Sequence, residues 1–338
     1  MLPPLPKPAV YTPFDKGLYQ VAPLLRPFGS TFGNDPVVEV QIFQLDEDFP
    51  KYRRSKIEAL RERKDKYLCQ SRFSAEAQKR IVLFIIERLH QEHPYYFQLQ
   101  KSESLWTLYC ALTGTELKFS LEGVLKSSSC SSSKSLIETN LQYQAHEALE
   151  ALSLEIQEDF SVWTYEGEED WMAYASICFP NHWAPEDKIG RNFFQVHEPV
   201  AGAGPMLKSS KKLVESMVLK GPFVRFAWGI ATDKRLNHHP QAPTSWDPAL
   251  WKGRAFDPQN PQIWVRTERQ TLHGFPEDRL SLFTIRTYFQ DVSEIKAHPE
   301  LREKLVAALR SMSPESLHYK GLSESLDSIL NWLDAKSP

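Results

Sequence analysis

The sequence is poor in long hydrophobic runs. The longest, IVLFII at 81–86, is far short of the roughly 20 apolar residues that span a bilayer, so no membrane segment is expected. Net charge is also small, at −3, which argues against a broad nucleic-acid footprint. Cysteine is sparse: Cys69, Cys110, Cys130 and Cys178 stand apart with no CxxC pair. Free thiols in a reducing compartment follow, and no cysteine set for an iron–sulfur cluster exists. The N-terminus MLPPLPKPAVYTPF lacks the charged start and apolar core of a secretion signal. A cytoplasmic location is therefore expected. GxSxG, HExxH and the P-loop are all missing, and GAG at 202–204 follows no strand and reads as a turn.

What remains is the composition of a globular protein, with 338 residues, 41% hydrophobic and 25% charged. Nine tryptophans and 12% aromatics suit a deep apolar pocket. Residues 1–36 are Pro- and Gly-rich and read as surface chain. Residues 46–68 read as an exposed helix with acids at its start. Residues 74–93 give the clearest helix. Ser74 caps it, Ala77, Ile81, Phe84, Ile85 and Leu89 form an apolar stripe, and Pro94 ends it. KSSSCSSSKS at 126–135 reads as a disordered loop, and 135–159 as a further helix.

After residue 159 the texture changes. Strands are expected at 160–165 and 171–179, an irregular helical stretch at 186–220, and strands at 223–231, 263–272 and 280–289. Helices at 301–312 and 324–333 close the chain. Short connections favour antiparallel pairing. The expected class is α+β: a PAS-like antiparallel sheet with a helical insert. The chain divides into an N-terminal extension (1–159), the core (160–290) and C-terminal helices (291–338), packed as one compact unit.

WVRTERQTLHGF at 264–275 is strand-like but oily on neither face. One face takes Arg266, Glu268, Gln270 and Leu272, the other Val265, Thr267, Arg269 and Thr271. At least one of Arg266 and Arg269 therefore points inward and must meet an anion there, either Glu268 or a bound ligand. Arg225 and Arg286 lie on the neighbouring strands. His197 follows Phe193, Phe194 and Val196 and precedes Glu198 and Pro199. It reads either as a packed histidine or as an axial ligand to a haem iron. His238 and His239 lie in a polar loop and are expected in solvent. Trp228, Tyr288 and Tyr174 are core residues or pocket walls, and Cys178, in an apolar strand, is expected to be inert.

Several segments together resemble the haem-dependent oxidative N-demethylase alpha-subunit-like family. They are YTPFDKGL (11–18), LDEDFPKYRRSK (45–56), QEDF (157–160), CFPNHWAPEDKIGRNFFQVHEPV (178–200), VRFAW (224–228) and RTERQTLHGFP with LFTIRTYF (266–289). The resemblance implies a PAS-like fold that binds haem b and removes a methyl group from a small secondary amine, such as dimethylamine, as formaldehyde. Dioxygen is the implied oxidant. Flavin and an iron–sulfur cluster belong to partner subunits, a separate reductase drawing on NADPH. His197 falls on the family's histidine–proline motif and is the expected iron ligand. Arg266, Arg269, Arg225 and Lys188 are expected at the haem, Arg269, Glu268 and Trp228 in catalysis, and Trp228 and Tyr288 at the substrate.

The sequence departs from the family pattern twice. Ala201 stands where the family has proline, and Ala227 where it has asparagine between arginine and tryptophan. The second departure removes a pocket hydrogen-bonding group. It keeps open an alternative class of function, a non-catalytic haem-binding PAS-like sensor or binding module.

Overall fold

The computed structural model describes residues 2–31, 39–131 and 143–335. In chain order the strands are β1 (Arg26–Pro27), β2 (Leu68–Gln70), β3 (Phe97–Lys101), β4 (Leu105–Cys110), β5 (Thr115–Ser120), β6 (Leu125–Cys130), β7 (Asp159–Glu166), β8 (Glu169–Ser176), β9 (Phe223–Ala231), β10 (Trp264–Phe275) and β11 (Leu280–Asp291). The helices are α1 (Phe49–Arg63), α2 (Ala75–Glu92), α3 (Ala148–Ser153), α4 (Phe193–His197), α5 (Gly204–Leu207), α6 (Ser210–Leu219), α7 (Pro248–Trp251), α8 (Val292–Ala297), α9 (Pro299–Arg310), α10 (Pro314–Tyr319) and α11 (Leu326–Asp334).

Seven strands form one sheet in the order β1-β9-β10-β11-β7-β8-β2, and β3 to β6 form a separate meander. Every pairing between strands is antiparallel. The architecture is mixed α+β. Within 159–291 the spatial order is third, fourth, fifth, first, second strand, with the helices α4 to α6 between second and third, consistent with a PAS-like arrangement. The sheet also takes β1 and β2 from the N-terminal segment.

Three expectations need correction. The meander β3–β6 is an addition, since the sequence pattern assigns residues 95–125 no element. Its turns at Gly114 and Gly123, both with positive φ, separate short alternating runs. The serine run is no disordered loop where it is described. Leu125–Cys130 is an edge strand pairing Ser127, Ser128 and Ser129 with β5 through the backbone, which needs no apolar side chain. Residues 132–142 lie outside the described residues, and of the helix expected at 135–159 the described part forms only α3, six residues, before β7 begins at Asp159. Finally, α1 is not an exposed helix: Tyr52, Arg53, Lys56, Ile57, Ala59 and Leu60 are buried.

α2 starts as expected, with Ser74 Oγ accepting from the amide of Ala77 at 3.1 Å. Its Ile81, Val82, Ile85, Ile86 and Leu89 pack into one core with the meander and with Phe160, Val162 and Leu282 of the large sheet. A second core joins α9 and α11 to Val265 and Trp228. Among the described residues no helix is long and apolar enough to cross a membrane, and the four cysteines are free.

Residues directly opposite one another in a sheet share a face. Arg269 faces Arg286 across β10 and β11, two buried like charges that repel unless each has its own anion. Each has one. Arg269 Nε donates to Glu39 at 2.7 Å, and its Nη groups donate to the carbonyls of Gln41 and Ile42. Arg286 Nη2 donates to Asp46 at 2.6 Å, and the Cζ of its guanidinium lies 3.7 Å from the centre of the Tyr52 ring. Asp46 is held in turn by Gln157 Nε2 at 2.9 Å. The segment 39–46 is thereby bound to the outer face of the sheet. On the other face α6 crosses β10 so closely that a Cβ on Gly274 would lie 2.2 Å from the Val218 carbonyl oxygen.

Removing one partner of a buried ion pair leaves the other uncompensated, a loss of about 3–5 kcal/mol. Asp46→Ala should lower unfolding free energy by that amount in chemical denaturation. Asp46→Leu combined with Arg286→Leu should lose less than the sum of the single changes. Gly274→Ala should destabilise by more than ~1 kcal/mol, since backbone and not a pliable side chain blocks the added methyl; an unchanged denaturation midpoint would contradict this packing.

Candidate functional site

The inner face of the large sheet carries Leu272, Gln270 and Glu268 on β10, Arg225 and Ala227 on β9, and Phe283 and Ile285 on β11. It forms the floor of a cavity of about 1520 Å³. The segment from Asn181 to Met217 makes one wall, residues 10–26 another, and residues 298–304 with Tyr319 and Lys320 close the remaining side. Ligand sites usually measure roughly 300–1,000 Å³, so the space admits a large ligand together with a small one. Its apolar lining comes from Trp163, Met172, Ile177, Phe193, Met206 and Met217.

His197 ends α4, on the cavity wall. Asn192 starts this helix with a reciprocal cap: its Oδ1 accepts from the amide of Gln195 at 2.8 Å, and Gln195 Oε1 accepts from the amide of Asn192 at 3.1 Å. The imidazole stacks on Phe193 with centroids 4.1 Å apart. His197 Nδ1 lies 2.8 Å from the Phe193 carbonyl. A carbonyl can only accept, so Nδ1 carries the proton and Nε2 keeps its lone pair. Among the described residues Nε2 has no partner. Burial pushes the pKa down to about 4, with Arg225 and Lys188 adding to the effect, so the ring is neutral at pH 7. This is the state in which an imidazole ligates a metal, with the second nitrogen fixed by a backbone acceptor.

Cations flank this wall. Lys188 Nζ donates to the Val196 carbonyl at 3.0 Å. Arg225 Nη2 donates to the Ala22 carbonyl at 3.2 Å, while its buried Nε has no hydrogen-bond partner among the described residues. Burial pushes Arg225 down to about 10, and Glu268 opposes the shift. A buried guanidinium with an unmet N–H fits an anionic ligand. Beside it Gln270 Nε2 donates to Glu268 Oε2 at 3.0 Å, orienting the carboxylate.

Arg266 shares this face but serves the loops beneath the cavity wall. Its Nη1 donates to the Leu236 carbonyl at 3.0 Å and to His238 Nδ1 at 3.1 Å, and its Nη2 to the Phe179 carbonyl at 2.8 Å. Only Nε remains, 3.9 Å from Glu268 Oε1. The loops it joins are also bridged by the His182 amide on the His238 carbonyl at 3.0 Å. That bridge holds His182 at φ 62°, a left-handed conformation that costs a non-glycine residue roughly 1–3 kcal/mol. His182 lines the cavity, stacks on His238 at 5.1 Å and is pushed down to about 4 by burial and by its neighbours His238, Arg266 and Lys320.

Of the residues singled out in the sequence, the cavity brings together His197, Lys188, Arg225, Glu268 and, at its border, Trp228, whose ring packs against Phe14 and Tyr19. Arg269 and Tyr288 do not reach it. They lie on the outer face, Arg269 on Glu39 and Tyr288 donating to Gln44 Oε1, because β10 and β11 alternate sides. Tyr174 is core, stacked on Phe160 at 5.9 Å, and burial raises the Cys178 thiol well above its ordinary value.

His238 and His239 are not in solvent; they are 5% and 2% exposed. Asp233 at 2.9 Å from His238 and Glu186 at 3.1 Å from His239 provide polar partners inside the fold. His182, Gln270 and Lys320 were missed as site residues. His182 stood in plain view in NHWAP, whereas nothing in the local sequence of Lys320 signals a cavity position. Among the described residues no group of three or more His, Cys, Asp or Glu is arranged to hold a metal.

Residues 35–330 match the family described as haem-dependent oxidative N-demethylase, alpha subunit-like. That span takes in the meander, every strand of the large sheet except β1, and His197, Arg225, Glu268 and Lys320, and the chain belongs to this family.

Proposed function

We propose that the cavity binds haem b through His197 Nε2 and that the chain is an oxidoreductase removing a methyl group from a small secondary amine. The observation that carries the reading is the imidazole itself: neutral, fixed through Nδ1–H on the Phe193 carbonyl, and with Nε2 unengaged on the wall of the large cavity. Family membership supports a haem-dependent oxidoreductase in general. Lys188 and Arg225 would hold the two carboxylates of the porphyrin edge, the latter through its unmet Nε–H. The apolar lining would exclude water from the ring faces.

When bound, haem supplies the redox-active iron needed to oxidise an N-methyl group with dioxygen. The overall balance is secondary amine, dioxygen, two electrons and two protons giving primary amine, formaldehyde and water. A separate reductase subunit bearing flavin and an iron–sulfur cluster would deliver the electrons. Glu268, oriented by Gln270, would receive the N–H of the ammonium form of the amine and hold it for deprotonation. Trp228 borders the same space and would limit the size of the alkyl groups.

Ala227 favours a second reading. It lies directly opposite Glu268 and presents only a methyl where the family carries a hydrogen-bonding side chain. A haem-binding module without turnover would need no such group. Product formation separates the two readings.

Reconstitution with haem should give a Soret band that is lost or displaced in His197→Ala and retained in His182→Ala. The opposite pattern would move the axial ligand to His182. With haem loaded and reductant supplied, dimethylamine or a related N-methyl amine should release formaldehyde. Glu268→Gln should slow that release about tenfold to a hundredfold, the worth of one charge-assisted hydrogen bond of ~1.5–3 kcal/mol, while keeping the Soret band. No formaldehyde from any secondary amine offered leaves the binding-module reading.

A further inference from the structure

The side of the cavity away from His197 holds a cation that the proposed function leaves unused. Lys320 follows α10 and lines the cavity. Its Nζ comes within 3.6 Å of where a Cβ on Gly229 would stand, so the ammonium rests on β9 at a position whose lack of a side chain makes the room. Gly229 registers with Arg266, and Ala227 registers with Glu268. Lys320 and Glu268 therefore stand over adjacent same-face positions of the floor, roughly 7 Å apart along the strand.

They do not pair with each other. Among the described residues Lys320 Nζ makes no hydrogen bond or ion pair, its nearest aromatic contact being the Tyr319 ring at 5.7 Å. Burial lowers its pKa, with Glu268 opposing and Arg266 adding to the shift. A lysine ammonium has three donors to satisfy, and one held in a protein cavity without an acceptor is costly. A negative group on Lys320, with a positive group on Glu268, satisfies both. The methyl of Ala227 leaves the floor between them open.

We propose that Lys320 is a specificity-determining residue that receives the carboxylate of the substrate, so that the substrate class is an N-methyl amino acid, bound as a zwitterion with its secondary ammonium on Glu268 and its carboxylate on Lys320. This deepens the proposed function and rests on it for the reaction: the N-methyl C–N bond breaks, dioxygen and two reductase electrons are consumed, and formaldehyde, water and the unmethylated amino acid leave. The recognition itself requires only this chain's side chains. It also gives Ala227 a role, since a larger residue there would fill the gap that the body of the zwitterion occupies.

The test is calorimetric binding of N-methylglycine and of dimethylamine to the purified full-length protein, with haem content measured separately by the Soret band. N-methylglycine should bind at least tenfold more tightly than dimethylamine. Lys320→Met should remove that preference while changing dimethylamine affinity less than twofold, and Lys320→Arg should retain most of it. Equal or weaker binding of N-methylglycine by the wild-type protein, including none, overturns the assignment whether or not the variants fold. So does an N-methylglycine affinity that survives Lys320→Met. A Lys320-dependent preference in protein that takes up no haem would preserve the carboxylate site and sink the haem reading. Haem-loaded protein that favours dimethylamine would do the reverse.

Discussion

Every buried guanidinium on the central strands needs an acceptor, and the alternation of β10 decides which kind it receives. The two arginines that meet across β10 and β11 on the outer face would repel each other at the heart of the sheet. Glu39 and Asp46 neutralise them one for one, and in doing so they fasten a segment more than 200 residues away in sequence onto the back of the sheet. The inner face is treated differently. There Arg225, Arg266 and Lys320 lie around one carboxylate of the floor, Glu268, and among the described residues no acid forms an ion pair with Arg225 or Lys320. The same strand thus builds a closed ionic layer on one side and an unbalanced one on the other.

That division explains which parts of the site could be read from residues alone. The period-2 argument on 264–275 correctly required an inward arginine with an anionic partner, because burial of a charge is a local question of alternation. It named Glu268 or a bound ligand as that partner, and for Arg269 the partner is instead Glu39. Glu39 and Asp46 lie between the Pro-rich start of the chain and α1, and their contact with β10 and β11 is a matter of topology. Arg269 was assigned to a ligand on motif resemblance and proves to be the residue that holds the N-terminal segment. His197 and Glu268 do line the cavity, and both stood out in the sequence, one after an apolar run and the other on the polar face of the strand.

The fold shows the same pattern. The five strands of 159–291 and the helix at 74–93 were visible through their periodicity and their caps. The meander was not. Its strands are half-exposed and its last one is written in serine and lysine, so pairing comes from backbone hydrogen bonds that composition does not report. His238 and His239 were placed in solvent for a related reason. A polar loop reads as exposed, yet Asp233, Glu186 and Arg266 give its imidazoles partners within the fold, and a satisfied polar group can be buried at little cost.

The unbalanced face is informative because the outer face is complete. Had Glu39 or Asp46 been within reach of the cavity, the positive charge there could be relieved within the chain, and the unmet Nε–H of Arg225 and the unpaired ammonium of Lys320 would say little. Both carboxylates are instead locked on the far side of the sheet, behind a continuous backbone. Water can solvate part of the excess, but the apolar walls limit how much. Two separated cationic points remain, one on the His197 side and one beyond Glu268, and each calls for its own acceptor. On the proposed reading a porphyrin edge would answer the first. It could not also satisfy the second while leaving Glu268 free to take an amine, so under that reading the identity of the small ligand would turn on Lys320 rather than on His197.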